Sequence, residues 1–296
     1  MVVRVIEVPG ALAASQEKFN GAAGRAFVAG LPRRVAAFLD RWRLRIDGPA
    51  MHGVCALVLP VVRADRLPAA LKLQLPDEES AGEAPALRVW DGAGAVRLLE
   101  HDEPTGTLLL ERLDSARPLS RLPDTGEAVL VIAGLLARLT SVPAPAGTRR
   151  LGDIAEALLE RTPGALRRLP DGDDRGLLAD CAAAVREVAG ESGDRLLHWD
   201  LHYDNVLGAD REPWLAIDPK PLAGDPGFEL FPALCNRFEP GEVVRRFEAM
   251  TGALGLDRDR ARAWTLGRVL QNALWDLEDG RPLSPEQLWI GHALRR

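Results

Sequence analysis

Residues 196–218 constrain this chain more than any other stretch. They read Leu196-Leu-His-Trp-Asp-Leu-His-Tyr-Asp-Asn-Val-Leu207, then a polar turn, then Trp214-Leu-Ala-Ile-Asp218. An acid, Asp200, is followed five residues later by Asn205, and an apolar run that reads as a strand ends in a second acid, Asp218. A lone His-x-Asp is more often a turn or a cap than a site. The acid, the amide and the strand-terminal acid in this order match what phosphoryl transfer requires. One Asp takes the proton of an attacking hydroxyl, while an Asn and a second Asp hold Mg²⁺ against nucleotide phosphates. Asp200 then has to face an acceptor and Asp218 a metal, and oxygen donors suit a hard cation.

Lysine is scarce, with Lys18, Lys72 and Lys220 set against 34 arginines, so each position asks whether a compact ammonium is needed there. Lys72 falls in the middle of the apolar run Ala69-Ala-Leu-Lys-Leu73. A buried ammonium without an anion costs several kcal/mol, on the order of a buried unpaired charge, so Lys72 needs an acid or an outlet to solvent. In a kinase this lysine meets the nucleotide phosphates and an acid of the next helix. That helix, expected over residues 77–90, offers Glu78, Glu79 and Glu83. Glu79 and Glu83 lie one turn apart on one face; Glu83 is preferred as nearer mid-helix, and Glu79 stays open. The alternative is an edge-strand lysine that reaches water along its stem.

The pattern along the chain changes once. Met1 to Gly10 reads as a short strand, with one basic residue and too short an apolar run for a signal peptide. A helical pattern follows to about Arg43, then strands over 55–62 and 68–75 around a polar turn, the helix over 77–90, and strands over 96–99 and 107–110. Beyond residue 113 the reading is mainly helical, with helices at 124–139, 154–161 and 175–189. A strand-rich island at 195–218 interrupts them, and helices continue from there to the end. This is α+β, in two lobes: 1–112 and 113–296.

Net charge excludes one large class of partner. At −6, with no Lys/Arg-dense stripe, the chain is not built to neutralise nucleic-acid phosphates. No run approaches ~18 apolar residues, so no membrane span is expected. Three widely spaced cysteines suit a reducing cytoplasm rather than a disulfide framework.

These residues resemble the aminoglycoside/hydroxyurea antibiotic resistance kinases. The resemblance rests on Ala-Ala-Leu-Lys-Leu-Gln, Leu-Leu-Leu-Glu-Arg-Leu-Asp, His-Trp-Asp-Leu-His-Tyr-Asp-Asn-Val-Leu, Trp-Leu-Ala-Ile-Asp-Pro, Gly-Asp-Pro-Gly-Phe-Glu and Leu-Gln-Asn-Ala-Leu-Trp-Asp, spread over about residues 20–279. Trp199 between the His and the Asp is the more specific feature, since many relatives carry Gly there.

The resemblance implies a protein-kinase-like fold with a small β-rich N-lobe and a larger, mainly helical C-lobe. It implies ATP and Mg²⁺ as cofactors and a hydroxyl of a streptomycin-type aminoglycoside as acceptor, with a monomer expected. Asp200 would be the catalytic base, Asn205 and Asp218 the Mg²⁺ ligands, and Lys72 a phosphate contact. Backbone groups from Glu111 to Leu113 would hold the adenine, and His198 would brace the catalytic loop. Two features depart from the pattern. The glycine-rich phosphate loop is reduced to Gly48 and Gly53, and Asp218 is followed by Pro219-Lys220 rather than Phe-Gly. Lys220 could reach phosphate or pair with Asp225.

A guanidinium-bearing acceptor calls for carboxylates and aromatic faces. Beyond Asp218 the candidates are Asp225 and Glu229, which alternatively cap a helix, and Asp276 and Trp275, of which the Trp could equally be core. The rival acceptors are another small hydroxylated metabolite: a sugar, an amino alcohol or hydroxyurea. An inactive nucleotide sensor is disfavoured by the intact set of Lys72, Asp200, Asn205 and Asp218.

Overall fold

The computed structural model describes residues 6–295, so most of the strand expected at the N-terminus lies outside the described residues. The chain divides into two compact units, Met1–Gly92 with Val96–Leu113, and Ala93–Ala95 with Asp114–Arg296.

The first unit opens with α1 (Gly10–Arg41), bent at Gly21, whose φ of 51° leaves the helical region. Its apolar face, including Leu12, Phe27, Leu31, Val35 and Phe38, is buried against a sheet carrying Leu57, Leu59, Leu71 and Leu73. That sheet is built from β1 (Arg45–Ile46), β2 (Met51–His52), β3 (Ala56–Val62), β4 (Pro68–Gln74), β5 (Leu98–Asp102) and β6 (Thr107–Glu111). Its order is β1-β3-β4-β6-β5, all antiparallel, with β2 hairpinned onto β3. Lys72 pairs in register with Val58 on one side and Leu108 on the other, so it stands on a central strand and not on an edge.

The helix expected from residue 77 begins later, as α2 (Glu83–Trp90) after a 3₁₀ turn at Ser80–Gly82. The cause is local. Ser80 N–H donates to the Asp77 side chain at 2.7 Å, and Asp77 N–H donates to Ser80 Oγ at 3.0 Å, an exchange that competes with helical hydrogen bonding. Glu83 therefore opens the helix instead of sitting at its middle.

The second unit contains β7 (Asp114–Pro118), which the sequence did not suggest, followed by α3 (Thr125–Leu139), α4 (Leu151–Leu166) and α5 (Asp173–Val188). Asp124 caps α3, accepting from the Gly126 and Glu127 N–H groups. The strand-rich island forms β8 (Arg195–Leu197), β9 (Val206–Gly208), β10 (Trp214–Ala216) and β11 (Leu222–Gly224). They make two small antiparallel sheets, β10-β9-β7 and β11-β8. The chain ends in α6 (Phe231–Cys235), α7 (Val243–Leu254), α8 (Arg258–Glu278) and α9 (Pro285–Arg295). Trp264, Leu270 and Leu274 bury one side of α8. Among the described residues no helix is long and apolar enough to cross a membrane.

Candidate active site

The loop from β8 to β9 carries the acid expected to do chemistry, and the surrounding structure determines its shape. His198 is fully buried, and its Nε2 lies 3.0 Å from the Ile217 carbonyl. A carbonyl only accepts, so the ring proton sits on Nε2. Burial pushes the imidazole pKa down to about 3, which keeps His198 neutral. The His198 carbonyl in turn accepts from Lys220 N–H at 2.9 Å, so His198 ties this loop to the segment after β10. This geometry suits a brace and gives the ring no proton to exchange near neutrality.

Trp199 adopts a left-handed φ of 67°, costly for a residue with a Cβ. Its ring is compensated by two guanidiniums, with Arg149 at 4.7 Å and Arg268 at 5.2 Å from the ring centre. Its N–H donates to both carboxylate oxygens of Glu229 at 3.0 Å each. Glu229 has no solvent exposure, and burial pushes its pKa up to about 7 against the backbone N–H groups of Trp199 and His198, which favour the charged form. This corrects one expectation, since a side chain with no exposure cannot touch an acceptor. Asp225 is corrected as well. Its carboxylate accepts from Gly227 N–H at 2.7 Å and Arg260 Nε at 2.6 Å, capping the turn at Pro226–Glu229, and it is not part of the pocket described below. The Lys220–Asp225 pair consequently does not form, and Lys220 Nζ instead lies 3.2 Å from Asp218.

Asp200 remains part-exposed at the loop's crest. Enclosure raises its pKa above the ordinary carboxylate range, opposed by the positive fields of His202, Arg268 and Lys220. Asn205 donates its side-chain amide to the Asp200 carbonyl at 2.9 Å, which leaves Oδ1 as its coordinating atom. Ile217 N–H donates to the Asn205 carbonyl at 2.9 Å, so the segment ending in Asp218 is fastened to Asn205. Asp218 also has a left-handed φ, 57°. Among the described residues no cluster of three or more His, Cys, Asp or Glu could hold a metal unaided. Asn205 and Asp218 offer two hard oxygens, too few for an octahedral ion but suited to one whose other ligands are phosphate oxygens and water.

In the first unit Lys72 Nζ lies 2.7 and 2.8 Å from the two oxygens of Glu83, and Gln74 donates to Glu83 at 2.8 Å. Glu79 precedes the helix as the residue before the 3₁₀ turn. Glu111 ends β6, and its N–H donates to the Arg97 carbonyl at 2.9 Å. Leu113 is the last residue of this unit. The sparse-glycine loop is held from α1, where the fully buried Gln16 donates to the Cys55 carbonyl at 2.7 Å. No sequence pattern marked Gln16 for this role.

A pocket of about 480 Å³ opens beside Asp200 within the second unit, walled by Trp275 and Asp276 together with Arg268, Asn272, Arg281 and Gln287. That volume suits a drug-sized ligand. Asp276 and Trp275 line the same pocket as Asp200. Sequence reasoning missed Arg268, although it lies four and eight residues before Asn272 and Asp276 on one helix face, a periodicity that could have revealed it. Arg281 lies in a loop and gave no such signal.

The fold and the site define a small-molecule kinase. The chain belongs to the aminoglycoside/hydroxyurea antibiotic resistance kinase family, whose model matches residues 41–280. It is 66% identical over 285 residues to a hydroxyurea phosphotransferase of Kitasatospora aureofaciens, covering 96% of this chain and 84% of the relative. It is 55% identical over 301 aligned residues to a streptomycin 6-kinase of Streptomyces glaucescens, covering 99% and 98% of the two chains. In fold it is similar to an aminoglycoside phosphotransferase solved with ADP and hygromycin B, with a TM-score of 0.60 and 16% identity over 88% of this chain and 97% of that one.

Proposed function

We propose that this kinase transfers the γ-phosphoryl group of ATP to a hydroxyl of a streptomycin-type aminoglycoside, with Asp200 as the base. The observation that carries the reading is the placement of Asp200, Asp276 and Trp275 on one pocket large enough for such an acceptor. Asp200 orients the hydroxyl and takes its proton as the bond to phosphorus forms. Lys72, oriented by Glu83, contacts the nucleotide phosphates. The Leu113 backbone and the Glu111 carbonyl serve the adenine, since the Glu111 N–H is committed to Arg97. Asn205 Oδ1 and Asp218 would hold Mg²⁺, which when bound neutralises charge on the phosphates. Asp276 and the Trp275 face receive a guanidinium of the acceptor.

A second reading, with hydroxyurea as acceptor, is favoured by the charge of the pocket. Arg268 and Arg281 balance Asp200 and Asp276, so the wall is not strongly anionic, and the hydroxyurea phosphotransferase shares 66% identity. An ADP-release assay with streptomycin, hydroxyurea and a neutral sugar separates the readings. Turnover of streptomycin, with a KM that rises with ionic strength, is the expected result. Turnover of hydroxyurea alone would replace the first reading with the second.

A further inference from the structure

The carboxylate proposed to receive the acceptor's guanidinium already holds one from the protein. Arg281 Nε and an Arg281 terminal nitrogen lie 3.1 and 2.9 Å from Asp276 Oδ1, and the Arg281 N–H donates to the Asp276 carbonyl at 2.7 Å. The other terminal nitrogen bonds Asp279. Both side-chain contacts converge on one oxygen of Asp276, so the pair does not use the two-oxygen fork that arginine and carboxylate favour. The Asp276 side chain is 12% exposed while that of Arg281 is 53% exposed. The carboxylate is therefore fixed in the pocket wall, and its cation hangs from a loop just past Gly280, where φ is +68°.

Trp275 lines the same pocket beside Asp276, and its solvent-exposed face together with that carboxylate makes a wall suited to a planar cation.

We propose that Arg281 is a built-in occupant of the guanidinium subsite at Asp276, displaced when a guanidinium-bearing acceptor enters. This rests on the aminoglycoside reading and deepens it, because it makes the Asp276–Arg281 pair a selectivity element. An acceptor with a guanidinium replaces the lost ion pair as it binds. A small neutral acceptor leaves the pair closed and uses only the part of the pocket near Asp200. The incoming guanidinium takes over the carboxylate as the half-exposed Arg281 swings into water, so the occupant screens acceptors without blocking them.

A double-mutant cycle tests the idea, with streptomycin binding to the full chain followed by calorimetry or by pocket tryptophan fluorescence. Arg281→Ala is expected to tighten binding roughly two- to five-fold, the scale of an ion pair whose guanidinium stays half in water. Asp276→Asn is expected to weaken it roughly ten-fold, as loss of a charge-assisted contact does. In the Asp276→Asn background, Arg281→Ala should then have no further effect. An equal gain in both backgrounds would mean that Arg281 acts only as a remote positive charge, and would overturn the proposal. So would unchanged or weaker binding by Arg281→Ala, or no binding by any variant. Arg281→Lys, retaining the charge, should stay close to the unmodified protein. Streptomycin that binds with this pattern but is not phosphorylated would refute the aminoglycoside reading and leave the subsite standing. Turnover combined with an additive cycle would do the reverse.

Discussion

Glu229 accepts the backbone N–H of Trp199 through both of its carboxylate oxygens, thirty residues along the chain from the group it holds. Trp199 immediately precedes Asp200, so a carboxylate with no solvent exposure orients the backbone leading into the acid expected to do the chemistry. Glu229→Ala should leave buried N–H groups unsatisfied, at a cost of about 1–3 kcal/mol each. It should lower kcat while the nucleotide KM changes little. Thermal melts and steady-state kinetics on the same variant check this, and a destabilised enzyme with normal kcat would reduce Glu229 to a purely structural role.

Two buried groups give stability opposite pH dependences. Burial pushes the Glu229 carboxyl up to about 7 in the fold from the usual 4.5, so the folded state holds the extra proton between those values and stability falls as pH rises through that window. The gap corresponds to roughly 3 kcal/mol. His198 is pushed down to about 3 from 6.5, so the unfolded chain takes the proton first and stability falls as pH drops below about 6.5. The two trends oppose each other near pH 5–6. Glu229→Gln should therefore expose a steeper acid loss, and a His198→Asn variant a steeper loss toward neutrality. Denaturant titrations at a series of pH values measure both slopes, and parallel curves for the two variants would contradict the assignment.

Asp200→Asn retains the shape of the side chain and removes its charge. General-base arithmetic predicts a kcat loss of about 10²–10⁴, with nucleotide affinity nearly unchanged. Because enclosure raises the Asp200 pKa, the acid limb of kcat/KM should lie above the ordinary carboxylate range and vanish in the variant. A near-normal kcat would remove Asp200 from the mechanism.

The Lys72–Glu83 pair is enclosed on both sides, with side-chain exposures of 6% and 1%. Glu83→Ala removes the buried carboxylate that faces the ammonium at two oxygens, and breaking a buried pair costs up to about 3–5 kcal/mol. Lys72→Met removes the proposed phosphate contact and leaves Glu83 hydrogen-bonded to Gln74. Both should raise the nucleotide KM, and Glu83→Ala should show the larger fall in the denaturation midpoint. Equal, small effects on stability would mean that the pair is more solvated than its geometry implies.

Much of this molecule was legible in one dimension, for identifiable reasons. A strand is read from alternating or continuous apolar residues, and Ala56–Val62 and Pro68–Gln74 lie within a residue of where the pattern put them. The candidate loop is read from spacing, because Asp200, Asn205 and Asp218 sit on one short segment whose hydrogen bonds join them. Helix α2 was misjudged at its start because the Asp77–Ser80 exchange competes with the helix on a scale that apolar periodicity does not report.

The sequence by itself determined the α+β order and the class of reaction, and it marked the candidate residues, since these depend on residue type and local spacing. Tertiary structure alone decided which acids line the pocket. Asp225, Glu229 and Asp276 are equivalent carboxylates in sequence, yet one caps a turn, one is sealed beneath the catalytic loop and one lines the pocket. Packing made that distinction, because a buried carboxylate must find hydrogen-bond donors, and only the folded chain determines whether those donors are its own backbone, an arginine or a ligand.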